Sequence, residues 1–301
     1  MQGLPFDQPG RFYRGNLHTH STRSDGRQAP EAVIAAYREQ GYDFLALTDH
    51  FLERYDFPIT DTRAWRTPGF TTLLGAELHA PAIEVGDPWH IVAVGLPLDF
   101  APTMPGETGP QLAARARAAG AFVGMAHPAW YCLTLDDALS LDAAHAVEIY
   151  NTICALENDR GHAWHIADML LARGRRLLAY AADDAHFDPV RPPDHGQAWV
   201  QVRATALDPD ALLAALKAGH YYASQGPEIE DIRLDGDTIH IACSPASAIF
   251  LSGRGSKRGA AYGARLTEAT FSLAPVQGGY GRVTIVDAAG KRAWSNPFWL
   301  D

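Results

Sequence analysis

Short apolar runs alternate with amphipathic stretches from about Asn16 to Tyr222. This alternation is typical of βα units, and strands that are apolar throughout are typical of sheets buried on both faces. Eight runs predict strands: Gly15–His20, Phe44–Thr48, Thr72–Leu78, His90–Leu96, Phe122–Ala126, Ala146–Tyr150, Leu177–Ala182 and Ala198–Val202. Stretches that end at glycine or begin with proline predict the helices Pro30–Gln40, Gln111–Ala119 and Asp208–Ala218. We therefore expect an α/β chain whose units form a closed or distorted barrel.

The pattern changes after Gln225-Gly226-Pro227, where helical periodicity disappears. Short alternating runs are separated there by Gly and Asp-Gly turns, which predict strands joined by tight connections. These runs are Ile229–Leu234, Thr238–Ala242, Ala248–Leu251, Thr270–Leu273 and Arg282–Val286. The sequence thus predicts a barrel domain over residues 1–224 and a small all-β, sandwich-like domain over residues 225–301.

Charge is distributed unevenly along the 301 residues, whose formal net charge is -10. Residues 225–301 hold 8 basic and 8 acidic side chains, so the first 224 residues carry the whole negative excess. A long nucleic acid requires basic surface, and this balance argues against such a partner. Histidine is skewed in the same direction, because 12 of the 13 lie before residue 225.

The three cysteines, Cys132, Cys154 and Cys243, are far apart and show no Cys-x-x-Cys spacing. They indicate neither a disulfide framework nor a thiolate zinc site. The first residues lack a secretory pattern, and no stretch approaches the roughly 18 apolar residues of a membrane span. We expect a reduced, cytoplasmic protein without a membrane anchor; the oligomeric state is open.

Metal-binding residue types recur where the predicted strands end. His18 and His20 alternate on one face of the first run, since side chains at i and i+2 point the same way. Further groups lie at the end of a run, as Glu77 does, or follow one: Asp25, Asp49, His50, His127, Asp183, Asp184 and His186. The carboxyl ends of barrel strands meet at one rim. A lone histidine is usually only hydrogen-bonded, but so many imidazoles and carboxylates in one cleft would be costly without cations.

Six short segments of the chain resemble the motif set of the polymerase and histidinol phosphatase (PHP) superfamily. In order along the chain, they are His18-Thr19-His20-Ser21, Ser24-Asp25-Gly26, Leu47-Thr48-Asp49-His50, Gly75-Ala76-Glu77, Met125-Ala126-His127-Pro128 and Asp183-Asp184-Ala185-His186. The resemblance covers about residues 14–222. It implies a distorted (β/α)7 barrel and up to three metal ions. The implied ligand sets are His18, His20, Glu77 and Asp184 for the first metal, Glu77, His90 and His127 for the second, and Asp25, His50 and His186 for the third.

His90 rests on little more than its position. His79 competes with it for the same role, but as the residue two beyond Glu77 it can equally be a support of the ligands. Some members of the superfamily have histidine where this chain has Asp25. An oxygen ligand there shifts preference toward manganese or iron and away from zinc. Residues 221–227 and 293–297 further resemble the carbaryl-hydrolase-like branch (CehA/McbA).

The resulting hypothesis is a phosphoesterase that cleaves a small phosphate ester with a hydroxide bridging two or three divalent cations (Mn, Fe or Zn). Asp184, His186 and Arg23 are the candidate catalytic residues. Two alternatives use the same residues: a hydrolase of carbamates, esters or amides, and a non-catalytic module stabilised by metal.

Other residues allow two interpretations each. Arg23 can contact a substrate phosphoryl or carboxylate oxygen, or it is a solvated loop residue. Asn151 can contact substrate at the same rim, or it is a turn residue. Asp183 can form an acid/base dyad with Asp184, but it is rather expected to orient an imidazole. The Gly253–Gly259 segment can be an anion-binding loop, but it is rather expected to be a solvated hairpin, because no helix pattern follows it.

Overall fold

Strands dominate the computed structural model, which describes residues 4–300; residues 1–3 and Asp301, the outer ends of the two predicted domains, lie outside the described residues. The strands are β1 Arg11–Asn16, β2 Phe44–Leu47, β3 His50–Phe51, β4 Thr71–Ala80, β5 Trp89–Val94, β6 Phe122–Met125, β7 Ala146–Asn151, β8 Leu178–Ala182, β9 Trp199–Ala204, β10 Tyr221–Ser224, β11 Ile229–Asp235, β12 Thr238–Gly253, β13 Arg258–Ser272, β14 Gly279–Val286, β15 Arg292–Ser295 and β16 Phe298–Leu300. The α-helices are α1 Pro30–Glu39, α2 Gly109–Ala118, α3 Leu135–Ser140, α4 Thr152–Asn158, α5 Trp164–Ala172 and α6 Pro209–Ala218. Three 3-10 helices cover Glu53–Tyr55, Arg63–Trp65 and Ala274–Val276.

Hydrogen bonds connect the strands of residues 4–300 along one open path, β11-β12-β14-β15-β10-β9-β1-β2-β4-β5-β6-β7-β8, with β13, β16 and β3 attached beside it. β8 ends the path and lies beside β9 and β10 without pairing with them as a ladder. A mixed α/β fold is confirmed, but a closed barrel is wrong.

Strand direction also departs from a regular βα barrel. β5 runs antiparallel to both β4 and β6, and β9 runs antiparallel to β1. A parallel connection needs about a dozen or more residues, usually with a helix, whereas only residues 81–88 separate β4 from β5. The short connection therefore turns the chain back and makes β5 antiparallel.

The three predicted helices are present and begin and end as their sequences indicate. Asp208 caps α6, because its carboxylate accepts hydrogen bonds from the Asp210 and Ala211 amides, and Gly219 ends the helix in the left-handed region at φ 80. Thr108 and Gln111 form a capping box at the start of α2. Each of these helices buries an apolar face against strands of the sheet, among them β2, β4, β5 and β6. This packing stabilises the strands that position the metal-binding residue types.

The C-terminal strands continue the same sheet. β15 pairs with β10 in the register Tyr222↔Ser295 and Ala223↔Trp294, so the sheet passes through the predicted boundary at residues 224 and 225. Between residues 229 and 300 the chain forms strands and one 3-10 helix. Their core includes Ile249, Leu251 and Phe298. Division into two domains stays a prediction. The hairpin expected near Gly253–Gly259 is present, since β12 ends at Gly253 and β13 begins at Arg258.

Among residues 4–300, no helix has the length and apolar character that crossing a lipid bilayer demands.

Candidate metal centre

The first two histidines lie just beyond β1 rather than within a strand. β1 ends at Asn16, and the following segment is held by backbone hydrogen bonds to the segment after β8. The Asp184 amide donates to the His18 carbonyl at 2.8 Å, and the His20 amide donates to the Ala185 carbonyl at 2.9 Å. These bonds place both imidazoles beside the Asp184 carboxylate.

His90 reaches the same rim because β5 is antiparallel. His79 on β4 and His90 on β5 are direct cross-strand partners, so the start of β5 lies beside the end of β4. His127 follows β6 and Asp184 follows β8, and both have left-handed backbone, with φ 24 and φ 54. Such conformations cost about 1–3 kcal/mol each in non-glycine residues and concentrate at functional sites.

The first group of ligand atoms surrounds one point with two imidazoles and two carboxylates. Nε2 of His20 lies 2.8 Å from Asp184 Oδ1, and Nε2 of His18 lies 3.2 Å from the same oxygen. Each of the two Nε2 atoms also lies 3.6 Å from Oε2 of Glu77. These are the four residues that the resemblance to the PHP superfamily implies for a first metal.

The second group uses the other oxygen of the same glutamate. Oε1 of Glu77 lies 2.7 Å from Nδ1 of His90 and 3.1 Å from Nε2 of His127. Glu77 is fully buried on β4 and thus presents one oxygen to each group. A carboxylate in this position can bridge two cations.

The third group lies nearer the cavity mouth. Asp25 lies 3.3 Å from Nε2 of His50 and 3.4 Å from Nε2 of His186. Nδ1 of His20 is 3.8 Å from Asp25, so His20 stands between the first and third groups. All nine residues proposed as ligands from the sequence therefore lie in one continuous cluster.

His79 belongs to the cluster and orients a neighbour. Its Nδ1 lies 3.0 Å from the Trp89 carbonyl, which can only accept, so this nitrogen carries the proton. The bare Nε2 then accepts from Nδ1 of His50 at 2.8 Å. Nε2 of His50, on the other side of the ring, faces Asp25 at 3.3 Å.

Several buried polar atoms in the cluster have no hydrogen-bond partner among the described residues: His18 Nε2, Glu77 Oε2 and His127 Nδ1. Oε2 of Glu77 lies 2.6 Å from Nδ1 of His50 but makes no well-angled hydrogen bond. Orphaned polar atoms are rare in protein interiors. Unpartnered imidazole nitrogen and carboxylate oxygen at the centre of the first group fit a divalent cation, whose preferred ligands they are.

The pKa values of neighbouring histidines in the cluster are shifted in opposite directions. Burial, followed by the nearby His186 and His50, lowers the pKa of His20 to about 4. For His50, burial is outweighed by Glu77 and Asp25, which raise its pKa to about 10. Burial of the Glu77 carboxylate is likewise outweighed by the surrounding imidazoles, which hold its pKa well below the usual value. Perturbed neighbours of this kind concentrate at functional sites.

Sequence reasoning missed Glu148, a fully buried carboxylate on β7. Its Oε1 lies 3.1 Å from Nδ1 of His18, while Oε2 accepts from the His127 amide at 2.7 Å and from the Asn151 side chain at 2.9 Å. Glu148 thus orients residues of the first two groups. A single charged residue inside the apolar run Ala146–Tyr150 was the available signal.

Asn151 and Asp183 are structural supports of the cluster. Asn151 is fully buried; its amide nitrogen donates to Asp184 at 3.0 Å and its oxygen caps α4. Asp183 does not orient an imidazole. Its carboxylate accepts from the Tyr37 and Thr152 hydroxyls and from the backbone amides of residues 196–198.

A cavity of about 450 Å³ opens over the cluster. Asp184 and His186 are among its polar lining residues, and its other lining residues include Leu52, Pro88, Trp130, Ile153 and Cys154. Arg23 does not line this cavity but a separate one, together with Tyr55 and Asp56. Among the described residues that line the first cavity, Arg54 is the one arginine or lysine.

No protein-family model matches the chain, and no curated protein matches it either. Among solved structures, a two-domain protein from Bacteroides vulgatus that contains a predicted PHP-like metal-dependent phosphoesterase is 14% identical, with a TM-score of 0.55 over 99% of this chain and 98% of that one. This likeness shows a shared fold over nearly the whole chain.

Two other solved structures match over about half to two thirds of the chain. A putative metal-dependent phosphoesterase from Bifidobacterium adolescentis is 15% identical, with a TM-score of 0.46 over 60% of this chain and 91% of that one. An amidohydrolase from Chromobacterium violaceum, solved with sulfate and no metal, is 16% identical, with a TM-score of 0.38 over 57% and 87%.

Proposed function

We propose that this chain is a PHP-type, metal-dependent phosphoesterase that hydrolyses a small phosphate ester. The observation that carries the proposal is Glu77, whose two buried oxygens face two separate groups of imidazoles. A shared carboxylate between adjacent nitrogen-rich groups is suited to a pair of cations. Bound divalent cations supply Lewis acidity and lower the pKa of water toward neutrality.

The protein's own residues would hold and orient the reacting groups. His18, His20, Glu77 and Asp184 would hold the first cation, His90 and His127 the second with Glu77, and Asp25, His50 and His186 the third. Asp184 lines the cavity and is fixed by the Asn151 amide. In this proposal Asp184 would take a proton from the attacking water. His186 lines the same cavity, with Nδ1 bonded to the Asp184 carbonyl at 2.8 Å.

A second candidate is hydrolysis of a carbamate, carboxylic ester or amide, the chemistry suggested by the carbaryl-hydrolase-like branch. The apolar part of the cavity lining supports it, because Leu52, Trp130 and Ile153 favour an uncharged substrate portion. Arg23, which lies in another cavity, is not needed for either reaction.

The deciding experiment is a screen of phosphate monoesters, phosphate diesters and aryl carbamates with full-length protein reconstituted separately with manganese, iron and zinc. The phosphoesterase proposal expects turnover of a phosphate ester and inhibition by inorganic phosphate. Turnover of carbamates without phosphate esters would support the second candidate. No metal-restored hydrolysis of any ester would leave only a non-catalytic module.

Variants connect this activity to the cluster. His18→Ala and Asp184→Asn should each lose bound metal and activity together, because each removes a ligand atom from the first group. His240→Ala is the matched control, since the His240 imidazole bonds to threonine hydroxyls on the C-terminal strands. Full metal occupancy in both cluster variants, with folding verified by circular dichroism, contradicts the assignment.

A further inference from the structure

A second cavity, of about 440 Å³, lies at the end of the strands opposite the metal centre. We call it the basal cavity. His145 immediately precedes β7 and His220 immediately precedes β10, and both line it. Leu178, the first residue of β8, contributes to its floor. The metal-binding residues instead follow the carboxyl ends of β6 and β8, so the two cavities are separate.

Cationic side chains concentrate in the basal cavity. Arg117, from the last turn of α2, and Lys217, from the last turn of α6, both line it. Arg117 donates to the Ala143 carbonyl at 3.2 Å, and Lys217 donates to the Gly120 carbonyl at 3.0 Å. Each bond uses one donor of a group that has five or three. These hydrogen bonds fix the Arg117 and Lys217 side chains at the cavity, and each cationic group keeps further N–H donors for a ligand.

Acidic residues are missing from the described lining of the basal cavity, although the chain as a whole carries a net charge of -10. Among residues 4–300, neither Arg117 nor Lys217 forms an ion pair with a carboxylate. The helix dipole places about half a negative elementary charge at the C-terminus of each helix, which offsets the positive charge of Arg117 and Lys217 only in part. Burial, followed by the charges of Arg117 and Lys217, lowers the pKa of His145 to about 4. The local potential is therefore positive.

An apolar surface completes the cavity. Leu178, Pro297 and Trp299 line the side next to the cations. Arg176 stacks over Trp299, with its guanidinium carbon 5.0 Å from the ring centroid, and so forms part of this wall. Cations beside an apolar wall suit a ligand that has an anionic end and an organic body.

We propose that the basal cavity binds a small phosphate monoester, with the phosphate on Arg117 and Lys217 and the organic part against Leu178, Pro297 and Trp299. Both a sugar phosphate and a nucleoside monophosphate have this chemistry. The site is independent of the metal centre and of the reaction performed there.

The test measures binding to the full-length protein by isothermal titration calorimetry. The probes are the methylenephosphonate analogues of glucose 6-phosphate and adenosine monophosphate, whose carbon–phosphorus bond resists hydrolysis. Arg117→Ala and Lys217→Ala should each weaken binding about tenfold or more, the effect of losing a charged hydrogen bond. Arg173→Ala is the matched control, because this exposed arginine follows the end of α5 and bonds to a helix carbonyl outside the cavity.

Glu77→Gln separates the basal cavity from the metal centre, and should leave binding unchanged. If both analogues bind, the site recognises the phosphate and an organic part the size of a sugar. If only the adenosine analogue binds, the site also requires the adenine ring. Binding of neither analogue overturns the proposal. So does binding that is lost in Glu77→Gln and retained in Arg117→Ala.

Discussion

Replacing Glu148 with glutamine should weaken metal binding without removing any ligand. The Glu148 carboxylate accepts from three donors: His18 Nδ1, the His127 amide and the Asn151 side chain. Glutamine offers one acceptor oxygen, so at least one donor loses its partner at a cost of about 1–3 kcal/mol. If the new NH2 group faces His18, the ring can satisfy it only by accepting at Nδ1. Nε2 then carries the proton and cannot bind a cation.

The expected magnitude follows from the loss of one orienting partner, which typically lowers metal affinity about 10–100-fold. We expect the dissociation constant of Glu148→Gln for manganese or zinc, measured by competition with a chelator, to rise by that factor. Glu107→Gln is the control, because Glu107 is also buried but pairs with Arg115 away from the cluster. A dissociation constant for Glu148→Gln within twofold of the unmodified protein would refute this reasoning.

Three further substitutions test the supports of the site and the sheet. Asp183→Ala leaves five donors, three of them buried and two half-buried, without an acceptor and should lower the free energy of unfolding in urea by about 3–5 kcal/mol; a loss below 1 kcal/mol would contradict this. Asn151→Ala removes a helix cap, about 1 kcal/mol, and the donor to Asp184, so kcat should fall at constant KM; a rise in KM alone would indicate substrate contact. Asp168→Asn weakens the two-point pair with Arg282, and should cost about 1 kcal/mol in thermal unfolding.

The sequence predicted much of the fold because apolar runs and helix ends depend on local chemistry. α1, α2 and α6 lie within two residues of their predicted bounds at each end. Strand direction could not be read in the same way, since an apolar run such as Trp89–Val94 looks alike in either direction. The short connection of residues 81–88 was the overlooked indication that β5 reverses.

Longer strands were divided where a residue breaks the alternation. Thr238–Ala242 and Ala248–Leu251 were predicted as two strands, but they are parts of β12. Pro245 lies between them, and the pairing register with β13 shifts from Ala242 to Ala246. Proline is tolerated inside a strand at such irregularities. The prediction failed because pairing with the neighbouring strands continues past the proline, which a local sequence pattern does not show.

The candidate site was predictable to the extent that its residues have recognisable types. His18, Glu77 and Asp184 are chemically distinctive at strand ends, and the structure brings them together. Supports are harder to find, because an asparagine such as Asn151 is common in turns and reveals its role only through its partners. Arg23 was proposed from chain proximity to Asp25, yet adjacent side chains of a loop can face different cavities.

The pairing of β10 with β15 bears on how the protein can be dissected in the laboratory. Cutting the chain after residue 224 would strip β10 of a neighbour and leave the backbone of Tyr222 and Ser224 as a bare edge. Such an edge is a template for strand addition from another molecule. It would also uncover Leu4 and Tyr222, which pack into the C-terminal core. We expect a fragment of residues 1–224 to aggregate on expression, and a shortened version fit for crystallisation to need the C-terminal strands.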